Sequence, residues 1–481
     1  MTVPLPLIKP SDAVAWTQCA RRVWLDNKGE FEDVELDPFD QLVIDLGLAH
    51  EHRVLEKLSG AYDVYTASTV EDTARLMAEG VDVIYQGQLF DEAENISGFP
   101  DFLIRDESGG YRAADAKLSL DAGKKEIQVQ LGLYRKMLGN SLSATVYLGD
   151  GSIADIGDEA DALVARFVSE MRSLLSEEDE PLVRYGHSKC SACPYYGYCK
   201  PGFLAREDIS LLYDVDGRSV GALEAAGITT IRELSLSDPA TIPDVPYLKG
   251  NKKSRAVLQA KSWFDSKVYQ TGEIVLPERQ WVHFDIEDNP LTASGEKHVY
   301  LWGFLLPDYG NNSFEYVWTD REEQDRGGWI GFLEKIEEFR RRYGSLVLAH
   351  YSNHERTTIR KYAERYGMED HETVRYLVAD DGPLFDLRKP VVDNLVLPLQ
   401  AYGLKDICKH PDLVNFQWQD DESGSQWSVV QFNRFLEETN EGEKSRLKKA
   451  ILGYNRDDVI ATRRLEEWLR REFVGRFSPS S

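Results

Sequence analysis

Asp285-Ile-Glu287 lies in the strand-like segment WVHFDIED. Residues two apart on a strand share a face, so both carboxylates point the same way. Far downstream, Tyr454-Asn-Arg-Asp457-Asp458 opens a helix-like stretch. Tyr454 and Asp458 are four apart and share a helix face. Glu355, in AHYSNHERTTIRKYA, stands where a strand gives way to a helix. Three or four such acids converging would hold two divalent ions about 3.5–4 Å apart, a pair that activates a water and stabilises a leaving oxygen. Tyr454 would position the attacking water. Asp386, in PLFDLRKP, is a candidate additional site residue, and Asp457 is the weaker partner because it is one position off Tyr454's face.

A second constellation lies earlier. Asp101 sits in GFPDFLIR, and Asp115 and Lys117 sit in AADAKLS, across a hairpin turn at Glu107-Ser108-Gly109-Gly110. The carboxylates of Asp101 and Asp115 can end on adjacent strands and converge on one Mg²⁺ or Mn²⁺, which polarises a scissile phosphate and acidifies a bound water. Lys117 shares a strand face with Asp115 and can orient that water or neutralise phosphate charge. His50, on the preceding helix, is a candidate further ligand. Gln130 and Tyr134, four apart on the next helix, project together toward a substrate. An isolated Asp-x-Lys is usually a solvated strand face. The ordered series of His, Asp, Asp-x-Lys and Gln-x3-Tyr carries the signal.

The chain has five cysteines. Cys190, Cys193 and Cys199 form a C-x2-C-x5-C cluster, and Cys19 lies far upstream. Four thiolates can hold a [4Fe–4S] cluster or a zinc ion. Zinc sites more often use two C-x2-C pairs, and here the second spacing is longer. A remote fourth ligand closes a long loop and would tie the start of the chain to this segment. Cys408, in LKDICKH, reads as a core residue.

The elements that must position these groups fall into three stretches. Residues 1–205 read as mixed α/β: helices from Ala13 to Trp24 and from Phe39 to Leu58, then strands at DVIYQGQLF, GFPDFLIRDE and YRAADAKLS. A helix at EIQVQLGLYRKML, a strand at ATVYLGD and a helix at EADALVARFVSEMRSLL follow. Residues 206–275 contain two short helix–turn–helix units. One turns at Ala226-Gly227-Ile228, and the other spans Val245 to Lys253 with the basic run Lys249, Lys252, Lys253. They resemble helix-hairpin-helix modules, which hold DNA phosphates with backbone N–H groups; the plain alternative is a helical linker. Residues 276–475 return to α/β, with strands at WVHFDIED, HVYLWGFLL, SFEYVWT and SLVLAHY. An antiparallel start followed by alternating helices and strands fits a ribonuclease H-like sheet. The expected fold class is thus two α/β domains joined by a small helical region.

Composition bounds what these sites can serve. Hydrophobic content of 42% and charged content of 29% are those of a globular chain. A formal net charge of −26 argues against a uniformly basic nucleic-acid-binding surface. Any DNA contact should be confined to a groove and be salt-sensitive. The N-terminus lacks the basic start and apolar core of a signal peptide, and no run of about 18 apolar residues offers a membrane span. A cytoplasmic location is expected, where disulfide pairing of the cysteines is not.

Residues 1–205 resemble the RecB-type nucleases of the PD-(D/E)xK superfamily, in the iron–sulfur branch found in CRISPR-associated exonucleases and helicase-nucleases. Cys19, Cys190, Cys193 and Cys199 match that branch's four cysteine positions. His50, Asp101, Asp115 and Lys117 match its catalytic residues, and Gln130 and Tyr134 its final motif. Leu118-Ser119 stands where the family commonly has Thr-Gly. The resemblance implies a [4Fe–4S] cluster and Mg²⁺- or Mn²⁺-dependent cleavage of DNA, usually single-stranded and often from an end. Residues 276–475 resemble the DEDD exonucleases of the ribonuclease H-like superfamily. Asp285 and Glu287 match the first motif, Tyr454 and Asp458 the last, and Glu355 stands where aspartate is usual. The order of both domains in one chain resembles a bacterial family of RecB-like nucleases. It implies a role in DNA repair, recombination or defence. The competing expectations are an iron–sulfur nucleic-acid clamp that recruits a helicase, and a nuclease whose substrate is RNA.

Overall fold

The computed structural model describes residues 5–29, 37–245, 247–292, 294–307, 313–419 and 426–477. The chain divides into two compact units. The first comprises Met1–Val183 with Ala192–Tyr196 and Ala293–Gly295; the second comprises Arg184–Ser191, Gly197–Thr292 and Glu296–Ser481.

In the first unit, short strands are β1 (Val64–Thr66), β2 (Val83–Tyr85), β3 (Leu89–Asp91), β4 (Ile96–Gly98), β5 (Phe102–Arg105), β6 (Tyr111–Lys117), β7 (Ala144–Leu148) and β8 (Ile153–Ile156). The main sheet runs β1-β2-β5-β6-β7-β8, and β3 and β4 form a separate hairpin. Strands β2, β5 and β6 are antiparallel neighbours, whereas β7 lies parallel to β6. A parallel pair needs a crossover, and the helix Lys125–Leu138 supplies it. That helix is apolar on two sides because it is covered on two sides. Ile127, Leu131 and Tyr134 join the cluster that includes sheet residues Leu103, Ala113 and Val146, while Val129 and Leu133 join Phe167 and Met171 of the helix Asp161–Ser176. Gly132 lets the two helices approach: a Cβ there would lie 2.8 Å from Val164.

The helix Pro38–Ser59 begins as its sequence dictates, with Asp37 accepting from the Phe39 N–H and proline at the first position. The helix expected from Ala13 to Trp24 is broken. Asp12–Gln18 and Ala20–Lys28 are separate helices, and Cys19 between them is extended, with φ −163°. Side-chain periodicity continues through such a break, which is why the pattern reads as one helix. DVIYQGQLF likewise divides into β2 and β3, around Gln86 at φ 59°.

The second unit includes the helices Gly217–Ala225, Ile231–Leu236 and Asn251–Asp265. The first two turn at Gly227, φ 80°, and the second carries a Thr230/Glu233 capping box. The third packs onto the α/β part of its unit: Arg255 donates to the Leu395 carbonyl at 2.6 Å and Gln259 to that of Leu399 at 3.2 Å. A two-stranded sheet pairs β9 (Tyr269–Gln270) with β15 (Leu395–Val396).

The main sheet of this unit has β10 (Gln280–Asn289), β11 (His298–Leu305), β12 (Phe314–Trp318), β13 (Leu346–His350) and β14 (Leu384–Asp386) in the order β12-β11-β10-β13-β14. β10, β11 and β12 form an antiparallel meander; β13 and β14 add in parallel. Alternation along β10 sorts its two faces. Val282, Phe284 and Ile286 enter an aromatic-rich core with Trp302, Trp329 and Phe332. His283, Asp285 and Glu287 turn to the other face, beneath the helix Glu441–Glu472. Cys408 is fully buried in the core of that side, with Ile407 and Leu465. Among the described residues, no helix is long and apolar enough to cross a membrane.

Candidate active site

In the second unit, ligand atoms of Asp285, Glu287 and Asp458 all lie within 4.8 Å of one another. The strand supplies the first two from one face, and the helix Glu441–Glu472 supplies the third. Asn455, one helical turn before Asp458, donates to Asp285 Oδ2 at 2.7 Å and to Glu287 Oε1 at 3.3 Å. Ser428 donates to the other Glu287 oxygen at 2.5 Å. Trp418 Nε1 donates to Asp458 Oδ1 at 2.8 Å, and Tyr454 also hydrogen-bonds Asp458. Each carboxylate is therefore held by a neutral donor that leaves its remaining lone pairs toward the others.

Burial and mutual repulsion make this acid cluster costly. Burial first, then the charge of Glu287 and Asp458, drives Asp285 well above the usual carboxylate range. Burial first, then the charge of Asp458, pushes Glu287 up to about 8, against the hydrogen bonds from Ser428 and Asn455. Burial raises Asp458 to about 6, against the opposing pull of Lys405. Lys405 Nζ lies 3.1 Å from Tyr454 Oη, over that ring and near the Trp418 ring. Burial lowers its own pKa. Three converging acids, Asp285 half-buried and Glu287 and Asp458 buried or nearly so, with one nearby ammonium suit a divalent cation, and the oxygen-only donor set suits Mg²⁺ or Mn²⁺.

Glu355 lies at the start of the helix His354–Arg365, is buried, and its charge adds to the upward shift of Asp285. It falls outside the close group of three and meets His350 Nδ1 at 3.1 Å. Asp386 accepts from the backbone N–H groups of Ser352 and Arg388, both at 2.9 Å, which fixes the turn after β14. Asp457 accepts from the Gln419 N–H at 2.7 Å and so braces the loop that carries Trp418.

In the first unit, Asp101 and Asp115 meet at the end of β5 and β6. Asp115 Oδ1 accepts from the Asp101 N–H at 3.1 Å, and Asp101 Oδ2 accepts from the Ala116 N–H at 2.8 Å. Lys117 Nζ pairs with Asp115 Oδ2 at 2.9 Å. Burial and the Asp115 charge push Asp101 up to about 8, although Lys117 opposes the shift. Tyr134 donates to the Phe99 carbonyl at 3.0 Å and so ties the helix to the loop that presents Asp101. Gly98 permits this, since a Cβ there would lie 2.7 Å from the Tyr134 ring. Gln130 is half-buried one turn before Tyr134. His50 places Nε2 3.1 Å from the Tyr147 carbonyl oxygen, which commits that nitrogen as a donor. Its neighbour Glu51 accepts from Tyr85 Oη and Gln86 Nε2, at 2.8 and 2.7 Å, and its charge reaches both Asp101 and Lys117.

Cys19, Cys190, Cys193 and Cys199 are each half-buried. Within the second unit, the Gly186 N–H donates to Cys190 Sγ at 3.3 Å.

Sequence reasoning missed Asn455, Ser428, Trp418, Lys405 and Glu51. Asn455 was findable, because it stands three residues before Asp458 and shares its helix face. Glu51 follows His50 directly. Ser428, Trp418 and Lys405 come from separate segments, and no local pattern marks them.

No curated protein matches the chain. Solved structures that match include one titled "Crystal structure of SSO0001". It is 15% identical, covers 42% of this chain and 89% of that one, and has a TM-score of 0.25, too slight a likeness to carry an argument. A family model described as the RNase_H superfamily matches residues 282–470, the stretch that holds the strand acids and the helix acid alike. Residues 282–470 therefore form an RNase H-like domain, a nuclease-type fold with an acidic triad able to hold a divalent metal.

Proposed function

We propose that the chain is a Mg²⁺- or Mn²⁺-dependent exonuclease that hydrolyses DNA at a single-stranded or free end. The convergence of Asp285, Glu287 and Asp458 carries this reading. A divalent ion bound there would polarise the scissile phosphate and acidify a water. Asp285, Glu287 and Asp458 would hold it, with Glu355 available to a second ion. Asn455 and Ser428 orient the carboxylates. Tyr454, bonded to both Asp458 and Lys405, presents its hydroxyl oxygen where an attacking water can be aligned. Lys405 supplies a positive charge toward the phosphate that reacts.

The first unit is proposed as a second hydrolytic site of PD-(D/E)xK type. Asp101 and Asp115 would share a metal ion, His50 is its candidate further ligand, and Lys117 would steady the water or phosphate. Gln130 would meet the DNA strand, whereas Tyr134, buried and bonded to the Phe99 carbonyl, would hold the loop that presents Asp101. The ion pair between Lys117 and Asp115 beside a second raised acid supports this assignment. Cys19, Cys190, Cys193 and Cys199 are proposed to hold a [4Fe–4S] cluster. Support comes from four thiols in the sequence spacing described. Helix-hairpin-helix contacts by residues 206–275 and a role in DNA repair, recombination or defence belong to the same reading, whereas recruitment of a helicase is the alternative clamp reading.

The test is cleavage of end-labelled single-stranded DNA and RNA with Mn²⁺ by the wild type, Asp285→Asn and Asp115→Asn. Loss of part of the cleavage in each variant and of all of it in the double variant upholds two sites. Undiminished cleavage in the double variant overturns the reading, and preference for RNA overturns the substrate.

A further inference from the structure

The helix Pro38–Ser59 has two halves of unlike burial. From His50 onward it packs on its own unit. His50, Glu51, Val54 and Leu58 are buried, the last two in a cluster with Val83, Phe102 and Ala114 of the sheet. From Pro38 to Ala49 no residue is buried. That stretch is nevertheless apolar on more than one side. Phe39, Leu42, Val43 and Leu46 follow the i, i+3, i+4, i+7 spacing of one helix face and are half-buried. Ile44 and Leu48, four apart on another face, are 44% and 51% exposed. Gly47 belongs to the face of His50, Glu51 and Val54, yet a Cβ on it would meet nothing within 4 Å. The side that covers the sheet further along the helix is therefore open here.

A helix apolar all round is ordinarily buried, and a contiguous exposed apolar surface marks a contact with another molecule. Its charges say what covers it. Asp37, Asp40 and Asp45 are exposed on or beside the same stretch. In sequence, Glu30 to Asp45 contains seven acids and neither Lys nor Arg. Such a surface repels a nucleic-acid backbone and an anionic membrane surface. It also repels the same surface of a second copy, because like charges would meet. What it accepts is an apolar stripe edged with cations. The form that fits is a helix, since anchors at this spacing are those by which one helix face seats on another surface, and the bare backbone at Gly47 lets a partner approach closely.

We infer that Pro38–Ala49 is a docking surface for a basic amphipathic helix of a different protein. Aliphatic side chains of that helix cover Ile44 and Leu48, and its Lys or Arg side chains meet Asp40 and Asp45. Gln41 donates to Asp45 at 2.8 Å and so fixes one of these carboxylates on the exposed side. The inference is independent of the nuclease reading, because it uses no residue of either acid cluster.

The probe is a fluorescein-labelled peptide of about eighteen residues, with leucines at helical anchor spacing and lysines elsewhere, titrated with the full chain and read by anisotropy. It should bind at least tenfold more tightly than a peptide of the same composition with its leucines scattered around the helix, and than one with glutamate in place of lysine. Ile44→Ser/Leu48→Ser should weaken it at least tenfold. Asp40→Asn/Asp45→Asn should weaken it and reduce its loss with added salt. Gly47→Lys meets no packed group and replaces a helix-interior glycine, so the fold is kept while the new cation repels the peptide. Unchanged far-ultraviolet dichroism separates lost docking from lost fold. Equal binding of the scattered peptide, or binding that Gly47→Lys leaves unchanged, overturns the inference. So does a dimer in light scattering that Ile44→Ser/Leu48→Ser abolishes, which assigns the face to a second copy. Binding of a single-stranded oligonucleotide or of phosphatidylserine vesicles that the same change abolishes overturns it as well.

Discussion

Gly303 faces Asn455 across so small a gap that a Cβ on Gly303 would lie 1.7 Å from Asn455 Oδ1. Gly303 is also the register partner of Asp285. The neighbouring strand thus makes room for the amide that bridges Asp285 and Glu287. Gly303→Ala should displace Asn455 and uncouple the two acids. Overpacking of this kind costs about 1–3 kcal/mol. The expected result is a lower denaturant midpoint together with weaker Mn²⁺ binding. A variant with wild-type Mn²⁺ affinity would show that Asn455 does not organise the acids.

Lys405 should have opposite effects on metal affinity and turnover. Its ammonium partly neutralises the triad, so Lys405→Met should tighten Mn²⁺ binding by about tenfold, or about 1.4 kcal/mol. The same change removes the group bonded to Tyr454 Oη and should lower kcat. Calorimetry with Mn²⁺ and single-turnover cleavage separate the two. A general packing defect would weaken both.

The acid triad also sets a pH dependence. Asp285, Glu287 and Asp458 are all raised in the folded state, with Glu287 at about 8 and Asp458 at about 6. Between the usual carboxylate range and about pH 8 the folded chain therefore binds more protons than the unfolded chain. Stability falls as pH rises wherever the folded state holds the extra protons. Burial lowers His283, which acts in the opposite sense below its ordinary range, so the comparison needs a reference. In EDTA, Asp285→Asn/Glu287→Gln should lose less Tm than the wild type between pH 5.5 and pH 8. Mn²⁺ should raise the wild-type Tm more at pH 8 than at pH 5.5, because metal binding requires deprotonated ligands. Equal Tm shifts at both pH values would sink this account.

Tyr134 holds the Asp101 loop through a single bond to Phe99. Tyr134→Phe removes a hydrogen bond of about 1 kcal/mol. A modest fall in first-site cleavage, measured in an Asp285→Asn background, is expected. Asp101→Asn in the same background should abolish it. Equal losses would mean that Tyr134 acts on the reaction itself rather than on the loop.

Purified anaerobically, the chain should show a broad brown absorption at the violet end of the visible range, and Cys193→Ser should lose it. Iron and sulfide analysis reads the same point. Zinc without iron would replace the cluster assignment by a zinc site.

Period-two patterning was enough to place Asp285 and Glu287 on one strand face, and helical periodicity to set Tyr454 and Asp458 on one helix face. The approach of Asp101 to Asp115 was legible from the hairpin turn between their strands, and the shared face of Asp115 and Lys117 and the α/β order of both stretches from periodicity. Local periodicity is a property of a few consecutive residues, so it survives in the sequence. The break at Cys19 was not legible, because an extended residue between two helices leaves the apolar spacing intact. β14 is three residues long, too short for alternation to register. Which groups surround the acids was decided by folding alone. Lys405, Trp418 and Ser428 arrive from three segments, and their approach to Asp458, Tyr454 and Glu287 depends on how the sheet, the long helix and the loops pack. The sequence by itself determined the carboxylates and the faces they occupy. Only tertiary structure decided their distances, their burial and the donors that restrain them, because those follow from contacts between residues more than a hundred positions apart, such as Ser428 with Glu287 and Asn455 with Asp285.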